Sequence, residues 1–379
     1  MTDRLEREGG REHVARNLAL VIHALHGGGA ERVAATMANQ WTDQGDRVTV
    51  ITLDTVSSDV YSVHPQVERI GLGLMRVSAS ALHAGWNNAQ RFRALRQAIR
   101  DVEADLVVSV TDQMNVLTLL ATQGLHMKVV IAEHSDPRHQ QMNDIWERLR
   151  RWTYPWCSAA VVLTDSVARQ LRAMISERPV YVIPNGIREP SVTVDDVGAR
   201  HPHQVVAIGR LSPEKGFDQL IDAFAPLARL HRDWSLAIAG EGPEQAALQE
   251  QIDQLGLSEQ IRLVGWLSDP ETFLARGSLF VMSSRYEGFP VALLEAMAVG
   301  LPVISFDCDS GPREIIRPNI DGLLVPAGDV SALTDAIDQL QHDAPLRDRM
   351  GRAAREVTQR FSLEQFRQRW NAVVDACLC

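Results

Sequence analysis

Ten short apolar runs recur along this chain in two series separated by a turn-rich break, and that rhythm constrains the fold more than any other feature. The first series is Leu18–Leu25, Val48–Leu53, Leu106–Val110, Val129–Ala132 and Ala159–Leu163. The second is Val205–Ile208, Leu236–Ala239, Ile261–Val264, Leu279–Met282 and Val303–Ser305. Stretches with helical periodicity, such as Ala30–Gln44 and Asn88–Val102, lie between them. Strand-length apolar runs alternating with helices read as parallel sheets wrapped by helices. The break is Ile183-Pro184-Asn185-Gly186-Ile187 and the polar residues up to His203, a segment across which few buried contacts need run. From Asp329 the pattern is purely helical, and in the closing Leu363–Cys379 the residues Phe366, Trp370 and Val373 recur at helical spacing, so this last helix must bury one face. At 379 residues the chain exceeds what one core usually organises. The expected plan is a polar leader over 1–16 without fixed structure, an α/β domain over 17–190, a second over 191–360 and a closing helix over 361–379.

Charge and cysteine content narrow the function. The formal net charge of -10 argues against general nucleic-acid binding, because affinity for a phosphate backbone needs clustered positive charge. The acidic excess falls in the second half of the chain. Cys157, Cys308, Cys377 and Cys379 show no metal-ligand spacing and read as reduced thiols. No run of about 18 uninterrupted apolar residues occurs, and the start of the chain is charged where a signal peptide needs an apolar stretch. A cytoplasmic protein is expected.

Four segments carry candidate chemistry. Gly27, Gly28 and Gly29 follow the first strand and open the first helix, where backbone N–H groups and the helix dipole can hold an anion; a plain tight turn is the bland alternative. At the matching place in the second series stands Gly209-Arg210-Leu211-Ser212-Pro213-Glu214-Lys215-Gly216-Phe217. Arg210 can fork onto two oxygens while Lys215 offers a compact charge, a pair suited to a diphosphate. Lysine is scarce here, only Lys128 and Lys215 occurring, which sets the second apart, although a solvated loop cation is the ordinary reading. Gly240 and Gly265-Trp266 end the next two strands, and such turns line the crevice where open α/β sheets bind ligands. Last comes Glu287-Gly288-Phe289-Pro290-Val291-Ala292-Leu293-Leu294-Glu295. Pro290 suits the first turn of a helix. Glu287 then lies in the preceding loop, and Glu295 sits among apolar neighbours, where an unpaired charge would be costly. A salt bridge to an arginine would satisfy Glu295 as well as the hydroxyls of a sugar.

Taken together, the Gly27–Arg32 segment, Arg210 to Lys215, Ile183-Pro184-Asn185-Gly186, and the two glutamates enclosing seven residues resemble glycosyltransferase family 4 over nearly the whole chain after the leader. The resemblance implies a GT-B architecture of two facing Rossmann-like domains. The first would bind the acceptor and the second the donor, with the closing helix returning to the first. It implies retaining transfer from a nucleotide-diphosphate sugar, most readily a UDP-sugar, to a glycan or lipid-linked acceptor in surface polysaccharide synthesis, with no metal and no cofactor. Arg210 and Lys215 would neutralise the diphosphate, Glu287 would face the transferred sugar, and Glu295 would hold the ribose. Gly27, Gly28, Gly29, Gly209, Gly240, Gly288, Phe289, Pro290 and Val291 would line the donor. His134, in Ile131-Ala132-Glu133-His134-Ser135, matches a histidine often found near the sugar, with a simple loop cap as the alternative.

Two basic clusters would suit an anionic membrane surface, or else be solvated helix charge: Arg93, Arg96 and Arg100, and Arg148, Arg150 and Arg151 beside Trp152, Tyr154 and Trp156. The same architecture also serves sugar-nucleotide epimerases, and a non-catalytic nucleotide-sugar-binding subunit would show the same motifs.

Overall fold

A computed structural model describes residues 14–75, 81–135, 142–197, 201 and 203–379. Residues 1–13 of the leader lie outside the described residues. The chain forms two compact units, one made of Met1–Pro184 with Glu364–Cys379 and the other of Asn185–Leu363.

The first unit runs β1 (Asn17–Ile22), α1 (Gly29–Asp43), β2 (Arg47–Thr52), β3 (Glu68–Gly71), α2 (Ala81–Val102), β4 (Leu106–Val110), α3 (Asp112–Ala121), β5 (Lys128–Glu133), α4 (Asp144–Thr153), β6 (Ala159–Val162), α5 (Asp165–Met174) and β7 (Val180–Val182). Its sheet has the order β3-β2-β1-β4-β5-β6-β7 with every pairing parallel. Helices cover both faces, so the central strands are buried nearly throughout and mostly apolar. Leu106 to Val110, for instance, is buried at every position. Side chains placed just outside the helices fix where they start: Asn143 accepts from the Trp146 amide ahead of α4, and Thr164 accepts from the Val167 amide ahead of α5.

The second unit runs β8 (Gln204–Ile208), α6 (Phe217–Leu230), β9 (Ser235–Ala239), α7 (Gln245–Leu255), β10 (Ile261–Gly265), α8 (Pro270–Arg276), β11 (Leu279–Met282), α9 (Val291–Ala298), β12 (Val303–Asp307), α10 (Pro312–Ile315), β13 (Gly322–Pro326), α11 (Val330–His342), α12 (Ala344–Ala354) and α13 (Val357–Arg360). The order is β10-β9-β8-β11-β12-β13, again parallel. Leu220, Phe224 and Leu227 of α6 pack with Leu333, Ile337 and Leu340 of α11 in one cluster on the sheet.

Both sheets reverse direction once, between β1 and β4 in the first unit and between β8 and β11 in the second. At such a reversal the two helices that follow depart to opposite faces, leaving a crevice beyond the strands' carboxyl ends. The final helix, α14 (Leu363–Leu378), belongs to the first unit from Glu364 onward. Its Trp370 meets Trp41 of α1 edge to face at 6.1 Å, and Arg16 joins the two ends of this unit by pairing with Asp46 at 2.5 Å and Asp375 at 2.8 Å.

Candidate active site

In the second unit the reversal point is built from the loops after β8 and β11. Gly209 receives its amide partner from β9, donating to the Ala239 carbonyl at 3.0 Å. A Cβ on Gly209 would stand 3.5 Å from Cγ and Cδ of Lys215, so the lysine stem lies along the bare backbone there. Pro213–Lys215 form a short 3-10 turn that Gly216 ends at φ +61° to start α6. A side chain on Gly216 would meet the Ser283 carbonyl at 2.1 Å. That close approach lets the Ser283 hydroxyl donate to the Lys215 carbonyl at 3.1 Å, the Arg285 amide to the Glu214 carbonyl at 2.8 Å and the Arg285 guanidinium to Asp218 at 2.9 and 2.6 Å. The cation loop is thereby fastened to the loop after β11.

Those fastenings bring Lys215 and Glu287 together. The ammonium donates to Glu287 Oε1 at 2.7 Å, and the Ser284 hydroxyl donates to the same oxygen at 2.6 Å. Burial disfavours the charged ammonium, but the Glu287 carboxylate more than offsets it and holds the Lys215 pKa above its ordinary value. Lys215 therefore carries its charge throughout the physiological range. The Glu287 carbonyl accepts from the Ser310 hydroxyl at 2.6 Å, and the Cys308 thiol donates to the Ser284 carbonyl at 2.9 Å. Burial pushes that thiol up to about 12, so it stays protonated. Gly311, at φ +93°, lets the loop after β12 close on the Gly288 carbonyl and Pro290, where a Cβ would lie 3.0 and 2.8 Å away. Phe289 is buried, and its carbonyl accepts from Asn185 at 3.1 Å. Val291 opens α9, in which Glu295 is buried.

Arg210 stands apart from the pair: it is exposed, and no polar partner holds its guanidinium among the described residues. Gly240 does a backbone task. At φ +135° its Cα faces the Gly209 carbonyl so closely that a Cβ would lie 1.9 Å from the oxygen, and its amide donates to Gly265 at 2.8 Å. Asp307-Cys308-Asp309 is an Asp-x-Asp, which corrects the expectation that the chain holds none. Its first carboxylate is held by Arg313 at 2.9 and 3.0 Å.

The first unit has its own polar group at the β1–β4 reversal. Gly28 precedes α1, and a Cβ there would overlap the Glu31 carboxylate at 2.2 Å. Glu31 thus folds back over the glycine turn, where the His23 Nε2 meets it at 3.1 Å. Burial works against this carboxylate, yet His23 holds its pKa below the ordinary range. The N-terminal turn expected to receive an anion already bears one of its own. His134 follows β5, and burial, only partly opposed by Glu31, pushes it down to about 4, so its imidazole is neutral at physiological pH. Between these strands Thr111 adopts φ +79°, an uncommon conformation for a β-branched residue, at the start of α3. The next residue, Asp112, is buried, which raises its pKa.

Behind them lies a network the sequence reading missed. Glu133 accepts from Asn115 at 3.1 Å and from the Tyr154 hydroxyl, with Arg150 at 3.5 Å. Burial raises the Glu133 pKa in spite of Arg150. Arg150 is 2% exposed and Tyr154 fully buried, so both are withdrawn from the surface on which the sequence had placed them. Arg96 is likewise occupied, donating to the carbonyls of Ala121 at 2.6 Å and Gln123 at 2.7 Å beyond α3. Ile145 (69% exposed), Arg148, Arg151 and Trp152 (59% exposed) do reach the surface of α4. No helix among the described residues is long and apolar enough to cross a membrane.

Comparison with known proteins agrees with this architecture. Residues 198–357 match the family model described as Glycosyl transferases group 1, and residues 27–189 match that described as Glycosyltransferase Family 4. The chain is 26% identical to an N-acetyl-D-galactosaminyltransferase of Campylobacter jejuni whose named acceptor is linked to undecaprenol through a diphosphate, over 93% of this chain and 96% of that protein. It is 31% identical to an exopolysaccharide phosphotransferase of Streptomyces coelicolor over 73% of this chain, spanning only 29% of that longer protein. Among solved structures, HepE of Anabaena in complex with UDP-glucose superposes with a TM-score of 0.78 at 20% identity, covering 95% of this chain and 99% of that one. With two Rossmann-like sheets in the GT-B pattern and two adjoining family models that between them span most of its length, the chain belongs to glycosyltransferase family 4.

Proposed function

We propose that the protein moves a sugar from a nucleoside-diphosphate sugar, most readily a UDP-sugar, to a glycan or lipid-linked acceptor, keeping the anomeric configuration. The observation that carries this reading is the Lys215–Glu287 pair at the β8–β11 reversal, with the exposed Arg210 earlier in the same loop as Lys215. As the bond from the anomeric carbon to the diphosphate breaks, negative charge grows on the departing oxygen. A cation already charged and already oriented stabilises it without rearrangement. Glu287 fixes the ammonium in place and, on the same loop, faces the transferred sugar. Glu295 takes the ribose hydroxyls, and the acceptor hydroxyl passes its proton to the leaving phosphate as it attacks from that side. In the first unit, neutral His134 and the Gly27–Gly29 turn serve the sugar and its acceptor.

The relatives named for exopolysaccharide and undecaprenol-linked glycans support a surface-glycan acceptor, and the structure of HepE with UDP-glucose supports a uridine donor. A calorimetric screen of UDP-, GDP- and ADP-sugars tests the donor. UDP-sugars should bind at least tenfold tighter, and conversion of donor to its epimer without any acceptor would instead identify an epimerase.

A membrane-bound acceptor calls for contact with the lipid surface, and the exposed α4 face, with Ile145 and Trp152 beside Arg148 and Arg151, supports it. Co-sedimentation with anionic vesicles should be strong at low salt and should fall severalfold in Trp152→Ala. Equal recovery of that variant would remove α4 from the contact.

A further inference from the structure

The far end of α6 carries a second cluster of chemistry-bearing side chains that the transfer reaction does not use. His231 caps the C-terminal end of α6 directly after Leu230, and Asp338 and His342 stand one turn apart on α11. His231 Nε2 lies 3.4 Å from Asp338 Oδ1, and His342 Nδ1 lies 3.4 Å from the same oxygen. One ligand atom from each of the three residues falls within 4.8 Å of the others.

We infer that this triad is a binding site for a divalent transition-metal cation of the Zn2+ class. Ligands about 2.1 Å from a tetrahedral cation are separated by about 3.4 Å along each edge, which is the spacing of both histidine–aspartate pairs. Two imidazoles and one carboxylate favour zinc, copper or nickel over magnesium or calcium, which seek all-oxygen shells. Three protein ligands leave the fourth position to solvent.

The site is held ready by packing. α6 and α11 share Leu220, Phe224, Leu227, Leu333, Ile337 and Leu340 in their common core, and the Thr334 hydroxyl donates to the Ala223 carbonyl at 3.0 Å. The rings of His231 and His342 already meet edge to face at 4.7 Å. Binding at His342 Nδ1 gives up only its 2.9 Å contact with the Asp338 carbonyl on the same helix. At 1.5 Å per residue, α6 places the triad about 20 Å from the Lys215 loop at its other end. The cation therefore clips two helices together and takes no part in transfer.

Isothermal titration of the chelator-stripped full chain with Zn2+ alone tests the site. One equivalent should bind with a micromolar Kd, while Mg2+ at millimolar concentration gives no heat. His342→Ala and Asp338→Asn should each weaken Zn2+ binding at least tenfold and abolish the rise of several degrees in melting temperature that saturating Zn2+ gives the unaltered chain. Sugar transfer by His342→Ala should be unchanged. Equal Zn2+ affinity in His231→Ala/His342→Ala would overturn the assignment, as would the absence of binding by the unaltered chain.

Discussion

Replacement of Lys215 by alanine is expected to lower turnover by about two to three orders of magnitude, the usual loss when one fixed charge facing a developing oxyanion is removed. The variant should also weaken binding of free UDP, because the diphosphate loses a cation in the ground state too. A stability cost should accompany this loss. From the sequence Lys215 reads as a surface-loop residue whose removal is nearly free, whereas its ammonium is the 2.7 Å partner of Glu287. Taking it away leaves that carboxylate, only 10% exposed, with the Ser284 hydroxyl, at a cost of about 1–3 kcal/mol. Initial-rate measurements with a saturating donor, paired with thermal melts, separate the two effects. Lys215→Arg should recover the melting temperature better than the rate, since a planar fork cannot reproduce a point charge at the same place. Undiminished turnover in Lys215→Ala would remove the residue from the mechanism.

Gly240→Ala should be the most damaging single-methyl change in the second unit. At φ +135° an L-side chain is strained, and its Cβ would stand 1.9 Å from the Gly209 carbonyl. A loss of about 3 kcal/mol follows, which for a unit of this size is a fall of about 6–12 °C in melting temperature. Gly256→Ala supplies the comparison, because φ there is +69° with nothing within 4 Å of an added Cβ. Its expected cost is only the strain, about 1–2 kcal/mol. Scanning calorimetry of the two variants decides whether Gly240 is required by backbone crowding. Equal melting of Gly240→Ala and the unaltered chain would show that it is not. The sequence assigned this glycine to donor contact, and the structure adds a separate reason for it.

The legible part of the fold was its buried part. Leu106–Val110 and Leu279–Met282 are legible to their observed ends, because both faces of those strands are covered and only Ser109 interrupts the apolar runs. The strands missed were β3, β7 and β13, each at a sheet edge. Glu68-Arg69-Ile70-Gly71 is half solvated and so carries no apolar run. β13 begins in glycine and ends in proline, which read as turn residues. The first strand was read too long for the opposite reason: Ala24 and Leu25 are apolar and buried, yet they lie in the loop beyond Ile22.

The candidate site divides in the same way. Lys215 and Glu287 were visible as residue types at telling places, but their pairing was not, since it depends on Gly216 allowing the Ser283 carbonyl to approach. Ser283 and Ser284, a polar pair directly after an apolar strand, were the available sign of that loop. The Glu133–Arg150–Tyr154 network had no such sign. Its members come from two separate segments, and an arginine between other cations on an amphipathic helix reads as solvent-facing until tertiary packing buries it.

The pairing of Arg16 with Asp375 closes a loop of 359 residues. During synthesis the first unit's strands leave the ribosome early, but the face of Trp41 that Trp370 covers stays bare until α14 has been made. The first unit therefore reaches its finished form only after the second has been translated in full, and a chain broken off anywhere before α14 leaves apolar surface exposed on the part made first.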